Sequence, residues 1–383
     1  MKIVADENMP FAKEAFSTLG EVILLPGRAM TREAVQDASV LAVRSVTKVD
    51  AELLEGSSVR FVGTATIGVD HVDADYLESR SIGFASAPGS NAVSVAEYVM
   101  AALLTLSDRR GENLEGKTLG VVGCGNVGSR VCRRAEALGM RVLRNDPPLQ
   151  RLSGDGGYLP LEALFESDFI TLHVPLTREG RDATYHLADA GFLAKMRPDA
   201  ALLNTSRGAV ADGTALKDAL SEGRLRDAVL DVWEGEPDID FGLLGQAALG
   251  TPHIAGYSYD GKLKGTDMIY RAACRHFGAA PTFDIRAAAP APQVPELELT
   301  AAERPGEEVL REAVKAIYDI EADDARLRQA ASLAPSDRGK RFDELRKTYP
   351  VRREFANTHV RCPGAPEALV DKLAGLGFKT ENA

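Results

Sequence analysis

The chain has 383 residues, more than one ordinary domain holds, so two or three domains are expected. Its composition, 45% hydrophobic and 26% charged, is typical of a soluble globular protein, and no apolar run reaches the roughly 18 residues of a membrane helix. A formal net charge of −11 argues against general nucleic-acid binding. The amino terminus resembles no secretion signal, and the four cysteines lack zinc or disulfide spacing, so a cytoplasmic protein without a metal is expected.

Short β-rich runs alternate with helix-like segments along most of the chain. The first series of expected strands lies near residues 2–4, 22–24, 40–44, 59–62 and 82–85. An apolar helical pattern over residues 91–107 separates it from a second series: TLGVVG, RVLRN, DFITLHV, ALLNTS and AVLDVW. Alternation of this kind predicts an α/β fold with two doubly wound, Rossmann-like lobes of parallel sheet.

The composition changes after Gly278. Residues 287–305 are rich in Ala and Pro and are interpreted as a linker or an arm along an edge. The segment EEVLREAVKAIYDI then predicts an amphipathic helix, and a basic run follows at residues 340–353. We expect a small separate domain here, whose basic helix is a dimer contact, a solvated face or a regulatory module.

The segment LGVVGCGNVGSRVC predicts a dinucleotide site. An apolar strand leads into Gly123, Gly125 and Gly128, and a helix is expected to begin near Asn126 and Val127. The glycines allow a tight turn, a close approach to a pyrophosphate and close helix packing, while helix N–H groups face the phosphates. The less specific alternative is a glycine-rich turn with no ligand.

Asp146 ends the next strand, about 18 residues after Gly128, where a carboxylate typically binds the ribose hydroxyls. Because a carboxylate repels a 2′-phosphate, NAD is favoured over NADP. Arg144 lies on the same strand and would weaken this preference only if both side chains shared one face.

Three later motifs follow predicted strands: NTSRGAVAD with Arg207, VLDVWEGEP with Asp231 and Glu236, and GTPHIAGYS with His253. The carboxyl ends of parallel strands meet at one edge, so these side chains are expected to converge. Arg207 can bind a substrate carboxylate, His253 can accept a hydroxyl proton, and Glu236 can orient the imidazole. Each taken alone could be a cap, a solvated turn residue or a loop histidine; together they predict hydride transfer.

These motifs, with HVPLT, resemble the D-isomer-specific 2-hydroxyacid dehydrogenase family over about residues 1–280. The resemblance implies that Arg207, Glu236 and His253 are catalytic, that Asp231 contacts the nicotinamide and that the protein is a homodimer. It also implies a substrate-binding lid domain of residues 1–92 completed by 255–286, an NAD-binding Rossmann domain of 93–254 and an α+β C-terminal dimerisation domain of 287–383.

The segments VRSVTKV, TATIGVDHVD and HIAGYSYDGK, with the long tail, resemble a narrower group of that family. Most of the family has a glycine-rich turn where this chain has TIGVD, and most lacks the tail. The resemblance implies oxidation of 4-phospho-D-erythronate to 2-oxo-3-hydroxy-4-phosphobutanoate in pyridoxal 5′-phosphate (vitamin B6) synthesis. Substrate contacts are implied for Ser45, Thr66 and Tyr257, and cofactor contacts for Val174, Ser206 and Gly256.

The side chains agree with a phosphorylated hydroxy acid, because Ser45, Thr66 and Tyr257 offer hydroxyl groups. Arg44, Lys48 and Arg346 of a second subunit are candidates for the substrate phosphate. Two alternatives stay open: another 2-hydroxyacid dehydrogenase, of the phosphoglycerate or glycerate type, and an NADH-sensing, corepressor-like protein without catalysis.

Overall fold

The structure is a computed structural model that describes residues 1–381. The chain divides into two compact units. The first comprises Met1–Asn91 and Ser258–Ala291, and the second comprises Ala92–Tyr257 and the residues from Pro292 onward. Among the described residues, no helix combines the length and apolarity needed to cross a bilayer.

The first unit is built on a five-stranded parallel sheet with the order β2-β1-β3-β4-β5. Its strands are β1 Lys2–Asp6, β2 Glu21–Leu25, β3 Val40–Val43, β4 Phe61–Thr64 and β5 Gly83–Ala85. Its helices are α1 Ala12–Phe16, α2 Arg32–Val35, α3 Ala51–Leu54, α4 Ala74–Ser79 and α11 Tyr259–His276. Every residue of β3 and β4 is buried, as expected of parallel strands covered on both faces.

Local capping explains where several of these helices begin. The side chains of Thr31, Asp50 and Asp73 each accept a hydrogen bond from a backbone N–H in the first turn of α2, α3 and α4. Ser258 does the same for α11.

The second unit contains a six-stranded parallel sheet with the order β11-β10-β9-β8-β6-β7. Its strands are β6 Thr118–Val122, β7 Arg141–Asn145, β8 Phe169–Leu172, β9 Ala201–Asn204, β10 Asp227–Leu230 and β11 Leu249–Gly250. Its helices are α5 Ala92–Arg110, α6 Gly128–Ala137, α7 Pro147–Ser153, α8 Ala190–Leu193, α9 Gly213–Ser221 and α10 Phe241–Gln246. Strand β11 has only two residues; the sequence predicted a strand before GTPHIAGYS but did not define its residues.

The C-terminal part of the second unit carries a third, smaller sheet with the order β12-β13-β14. Its strands are β12 Glu296–Glu298, β13 His359–Arg361 and β14 Lys379–Thr380, and its helices are α12 Gly306–Ile317, α13 Ile320–Gln329, α14 Pro335–Lys347 and α15 Glu367–Leu376. Strand β12 lies inside the Ala/Pro-rich segment, which therefore runs along a sheet edge. One apolar core runs without interruption from α5 and α6 into α12 and α15, for example from Tyr98 to Tyr318 and Leu373.

The predicted fold class, an α/β protein with two parallel sheets and a small α+β C-terminal region, is confirmed by these sheets. The chain also forms short 3-10 helices, which lie between the other elements at Gly27–Ala29, Leu161–Leu164, Gly208–Val210, Ala330–Ser332 and Phe355–Asn357.

Candidate active site

The glycine motif joins β6 to α6, as its pattern predicts. Gly123 has a positive φ of 86°, and a Cβ added there would lie 2.8 Å from the backbone of His173. A Cβ on Gly128 would lie 2.0 Å from the Gly123 carbonyl oxygen, so only glycine fits both positions. A Cβ on Gly125 would meet nothing within 4 Å. That open space in front of the helix leaves room for a pyrophosphate, so the loop fits a dinucleotide.

Asp146 directly follows β7, caps the start of α7 and is buried. Its Oδ2 accepts a hydrogen bond of 2.8 Å from the Cys124 N–H, and its Oδ1 accepts one of 2.9 Å from the Leu149 N–H at the start of α7. The carboxylate thereby fixes the glycine loop, and each oxygen keeps a lone pair for a ribose hydroxyl. The Arg144 guanidinium instead stacks 5.6 Å from the Tyr158 ring.

Arg207 follows β9 and precedes a 3-10 turn. The Arg207 Nη1 donates to the Ser206 carbonyl at 2.8 Å, and the Ser206 hydroxyl donates to Asn204 Oδ1 at 2.8 Å. A Cβ at Gly208 would lie 2.0 Å from the Trp233 carbonyl oxygen. This loop therefore packs directly against the turn after β10, which carries Glu236.

Glu236 and His253 form the central hydrogen-bonded pair of the site. Nδ1 of His253 lies 2.8 Å from Glu236 Oε2, and Glu236 Oε1 accepts a 2.8 Å hydrogen bond from the Trp233 N–H. Burial raises the pKa of Glu236, but the hydrogen bond and charge of His253, the Trp233 N–H and the charge of Arg346 outweigh it, so this pKa lies below the ordinary value. The side chain of His253 is 31% exposed, which leaves part of the imidazole open to a substrate.

Asp231 holds the loop that carries His253. Its buried carboxylate accepts hydrogen bonds from Thr251 Oγ1 at 2.7 Å, the Ile254 N–H at 2.7 Å and the Ala255 N–H at 3.0 Å. The Asp231 carbonyl accepts from the His253 N–H at 2.7 Å. His253 has a positive φ of 57°, a costly conformation that these bonds over-determine. Burial raises the pKa of Asp231 against the lowering effect of His253 and of these donors.

Tyr257 lies on the same loop, against the C-terminal region. The Tyr349 ring packs edge-on to it at 5.9 Å, and the Arg346 guanidinium lies 5.8 Å from the Tyr257 ring centroid. The chain's own Arg346 thus reaches this loop, whereas the prediction from the sequence was an approach by Arg346 of a second subunit.

In the first unit, Ser45 follows β3 and Thr66 follows β4. Ser45 is exposed. Thr66 Oγ1 donates to the Gly68 carbonyl at 2.9 Å and lies 2.8 Å from Thr64 Oγ1, which contacts His71 Nε2 at 2.9 Å.

Lys48 and Lys262 have different surroundings. Lys48 is 78% exposed and pairs with Asp50 at 2.7 Å. Lys262, in the first turn of α11, has a pKa lowered to about 8, by burial first and then by the neighbouring charge of Arg44. Lys262 was not predicted from the sequence; its signal was a basic residue in the first turn of a helix that follows the HIAGYS motif.

The three predicted catalytic residues therefore follow neighbouring strands: Arg207 after β9, Glu236 after β10 and His253 after β11. A glycine loop that fits a dinucleotide lies at the same carboxyl edge of the sheet, after β6. This arrangement is that of an NAD-dependent dehydrogenase, an oxidoreductase acting on CH–OH groups.

Comparisons with known proteins identify the family of dehydrogenases to which the chain belongs. Residues 91–255 match the family model of the D-isomer specific 2-hydroxyacid dehydrogenase NAD binding domain, and residues 289–377 match a domain of unknown function (DUF3410). Erythronate-4-phosphate dehydrogenase of Cellvibrio japonicus is 50% identical over 99% of this chain and 100% of its own length. The enzyme of the same name from Salinibacter ruber is 51% identical over 96% of this chain and 95% of its own. The chain belongs to the erythronate-4-phosphate dehydrogenase family.

Solved structures agree on the fold and cofactor. D-lactate dehydrogenase from Aquifex aeolicus, complexed with NAD and lactic acid, is 26% identical with a TM-score of 0.60, over 72% of this chain and 96% of that one. The NAD⁺-bound 3-phosphoglycerate dehydrogenase of Entamoeba histolytica is 26% identical with a TM-score of 0.62, over 73% and 95%. The predictions of an NAD cofactor and of dehydrogenase function are confirmed.

Proposed function

We propose that this enzyme oxidises 4-phospho-D-erythronate at C2 to 2-oxo-3-hydroxy-4-phosphobutanoate and reduces NAD, as a step of pyridoxal 5′-phosphate synthesis. The observation that supports this choice of substrate is the full-length identity of 50% to a relative named for erythronate 4-phosphate. The predicted substrate-binding hydroxyl groups, on Ser45, Thr66 and Tyr257, suit a polyhydroxylated acid.

The proton relay runs through two side chains. His253 takes the C2 hydroxyl proton, and Glu236, 2.8 Å from its Nδ1, fixes the tautomer that leaves Nε2 unprotonated and stabilises the imidazolium. Arg207 holds the substrate carboxylate and polarises the C2 oxygen. Bound NAD supplies the hydride acceptor.

The cofactor contacts come from the glycine loop and the ends of neighbouring strands. Asp146 would bind the ribose, Asp231 would contact the nicotinamide amide, and the loop N–H groups would bind the pyrophosphate. The cofactor-binding set is Gly123, Gly125, Asn126, Val127, Gly128, Asp146, Val174, Ser206, Asp231 and Gly256.

Arg44 and Lys262 bind the substrate phosphate. Two neighbouring, partly buried cations gain a dianionic partner that relieves their mutual repulsion. Lys48 lacks this role because Asp50 already pairs with it at the surface.

Replacement of Lys262 by Met tests the phosphate assignment. We expect the KM for 4-phospho-D-erythronate to rise at least about tenfold, the loss of one charge-assisted contact, while Lys48→Met leaves it within about twofold. For the unaltered enzyme, KM should rise as the pH passes above 8, where Lys262 loses its proton. A larger effect from Lys48→Met would reverse the assignment.

The remaining proposals concern organisation. We assign residues 1–92 and 255–286 to a substrate-binding lid, 93–254 to NAD binding and 287–383 to a dimerisation domain of a cytoplasmic homodimer. Sedimentation equilibrium of the full chain tests the last point, and a mass equal to one chain at micromolar concentration would refute it.

A substrate panel tests the proposed function. With NAD present, 4-phospho-D-erythronate should give faster NADH formation than 3-phosphoglycerate or D-glycerate. Faster turnover of phosphoglycerate would favour another 2-hydroxyacid dehydrogenase. Tight NADH binding without turnover of any acid would favour the sensor.

A further inference from the structure

The C-terminal region reaches the loop that carries His253 through one buried side chain. Arg352, only 5% exposed, directs its Nη2 to Ser94 Oγ at 2.5 Å and to the Ala255 carbonyl at 3.0 Å. The Ser94 hydroxyl in turn donates to the same carbonyl at 2.6 Å. Residue 255 is thus held by a helix, α5, and by a C-terminal guanidinium at once.

The two sides of this loop are held by different partners. Asp231 binds the N–H groups of Ile254 and Ala255, while Arg352 and Ser94 bind the carbonyl of Ala255. The backbone is therefore clamped two residues beyond His253. Removing one side of the clamp frees the peptide that sets the imidazole position.

The surroundings of Arg352 indicate that this side chain does more than fill space in the core. Its guanidinium lies 4.0 Å from the centroid of the Tyr318 ring, and its Nε and Nη1 have no hydrogen-bond partner among the described residues. A buried cation with two unsatisfied donors is costly, and an apolar residue of the same volume would often be at least as stable there. This cost indicates a role besides stability.

We propose that Arg352 is a positioning residue for the dehydrogenase reaction, which fixes the His253 loop through Ser94 and the Ala255 carbonyl. The C-terminal region, by this account, forms part of the scaffold of the catalytic site. The inference rests on the proposed relay through His253 and names a residue outside it.

Replacement of Arg352 by Met, compared with Arg110→Met, separates positioning from stability. Arg110 is a matched control: its side chain is 4% exposed, it stacks 5.1 Å from the Phe169 ring, and it pairs with Asp227 at the opposite end of β10 from the site. For Arg352→Met we expect kcat to fall at least about tenfold, because small misplacements of a catalytic group are costly, with the KM for NAD within about twofold.

For Arg110→Met we expect a lower Tm and a kcat within about twofold of the unaltered enzyme. Arg352→Lys, which keeps the charge and one donor, should restore part of the lost kcat. In the NAD-free protein, the NMR resonances of the His253 imidazole should move in Arg352→Met and stay in Arg110→Met. The NMR measurement needs no substrate, so it tests the positioning role of Arg352 separately from the substrate assignment. The substrate panel on the unaltered enzyme tests that assignment.

Ser94→Ala keeps the test decisive if Arg352→Met fails to fold. It removes the hydroxyl link and keeps the guanidinium, so kcat should fall in the same direction by a smaller factor. An unchanged kcat in Ser94→Ala, an unchanged kcat in Arg352→Met, or equal losses of kcat in Arg352→Met and Arg110→Met would each overturn the proposal.

Discussion

Replacement of Glu236 by Gln removes one charge from the His253 pair and keeps the shape of the side chain. At a separation of 2.8 Å and an effective dielectric constant of about 20, the Coulomb attraction between carboxylate and imidazolium is about 6 kcal/mol. Solvent reduces that upper limit, because the two side chains are 31% and 20% exposed.

The exchange also changes the tautomer of the imidazole. The Gln carbonyl can keep the bond from the Trp233 N–H, so its amide N–H₂ must face Nδ1 of His253 and favours the form protonated on Nε2. That form cannot accept the substrate proton. From loss of a general base we expect kcat to fall by a factor of about 10² to 10⁴.

The pH dependence of kcat/KM in Glu236→Gln should change in a definite direction. Oxidation needs the neutral imidazole, and the Glu236 carboxylate stabilises the charged one, so its loss should move the acid limb of kcat/KM to lower pH.

Glu234→Gln is the matched control. Glu234 lies two residues from Glu236 and contacts a histidine at the same distance, 2.8 Å, although through Nε2 of His186 rather than Nδ1. We expect its kcat within about twofold of the unaltered enzyme and a stability loss of about 1 kcal/mol. The relay is refuted if both variants turn over at the same rate, or if the acid limb in Glu236→Gln stays in place or moves to higher pH.

Two further predictions concern substrate and cofactor. Arg207→Lys should raise the KM for the hydroxy acid about tenfold or more and lower kcat, because an ammonium cannot make two parallel bonds to a carboxylate; steady-state kinetics that match the unaltered enzyme would contradict this. Gly125→Ala should raise the KM for NAD with an unchanged Tm, because its methyl enters open space, while Gly128→Ala should lower the Tm by at least about 4 °C. Equal effects of the two alanines on Tm and KM would contradict the assignment of the loop.

The sequence predicted the sheets well because their strands are short apolar runs bounded by turns. Fully buried β3 and β4 are uniformly apolar or small, and β6 runs directly into the glycines. The residues of strand β11 could not be assigned from the sequence because two residues carry no periodicity, although they place His253 beside Glu236.

Long-range contacts explain what the sequence left out of the site. Arg352 lies far along the chain from Ser94 and Ala255, and no local pattern distinguishes it from the other arginines of the basic run. Lys262 is likewise identified only by its burial beside Arg44. Arg346 was a candidate from its charge, but only packing against Tyr257 shows which loop it reaches.

Oxidation of 4-phospho-D-erythronate carrying deuterium at C2 tests the central claim most directly. If the hydride passes from C2 to the nicotinamide, mass spectrometry will find one deuterium in the NADH formed and none in the keto acid at that carbon. Unlabelled NADH with the deuterium released to water would contradict hydride transfer from C2, and with it the roles of Arg207, Glu236 and His253.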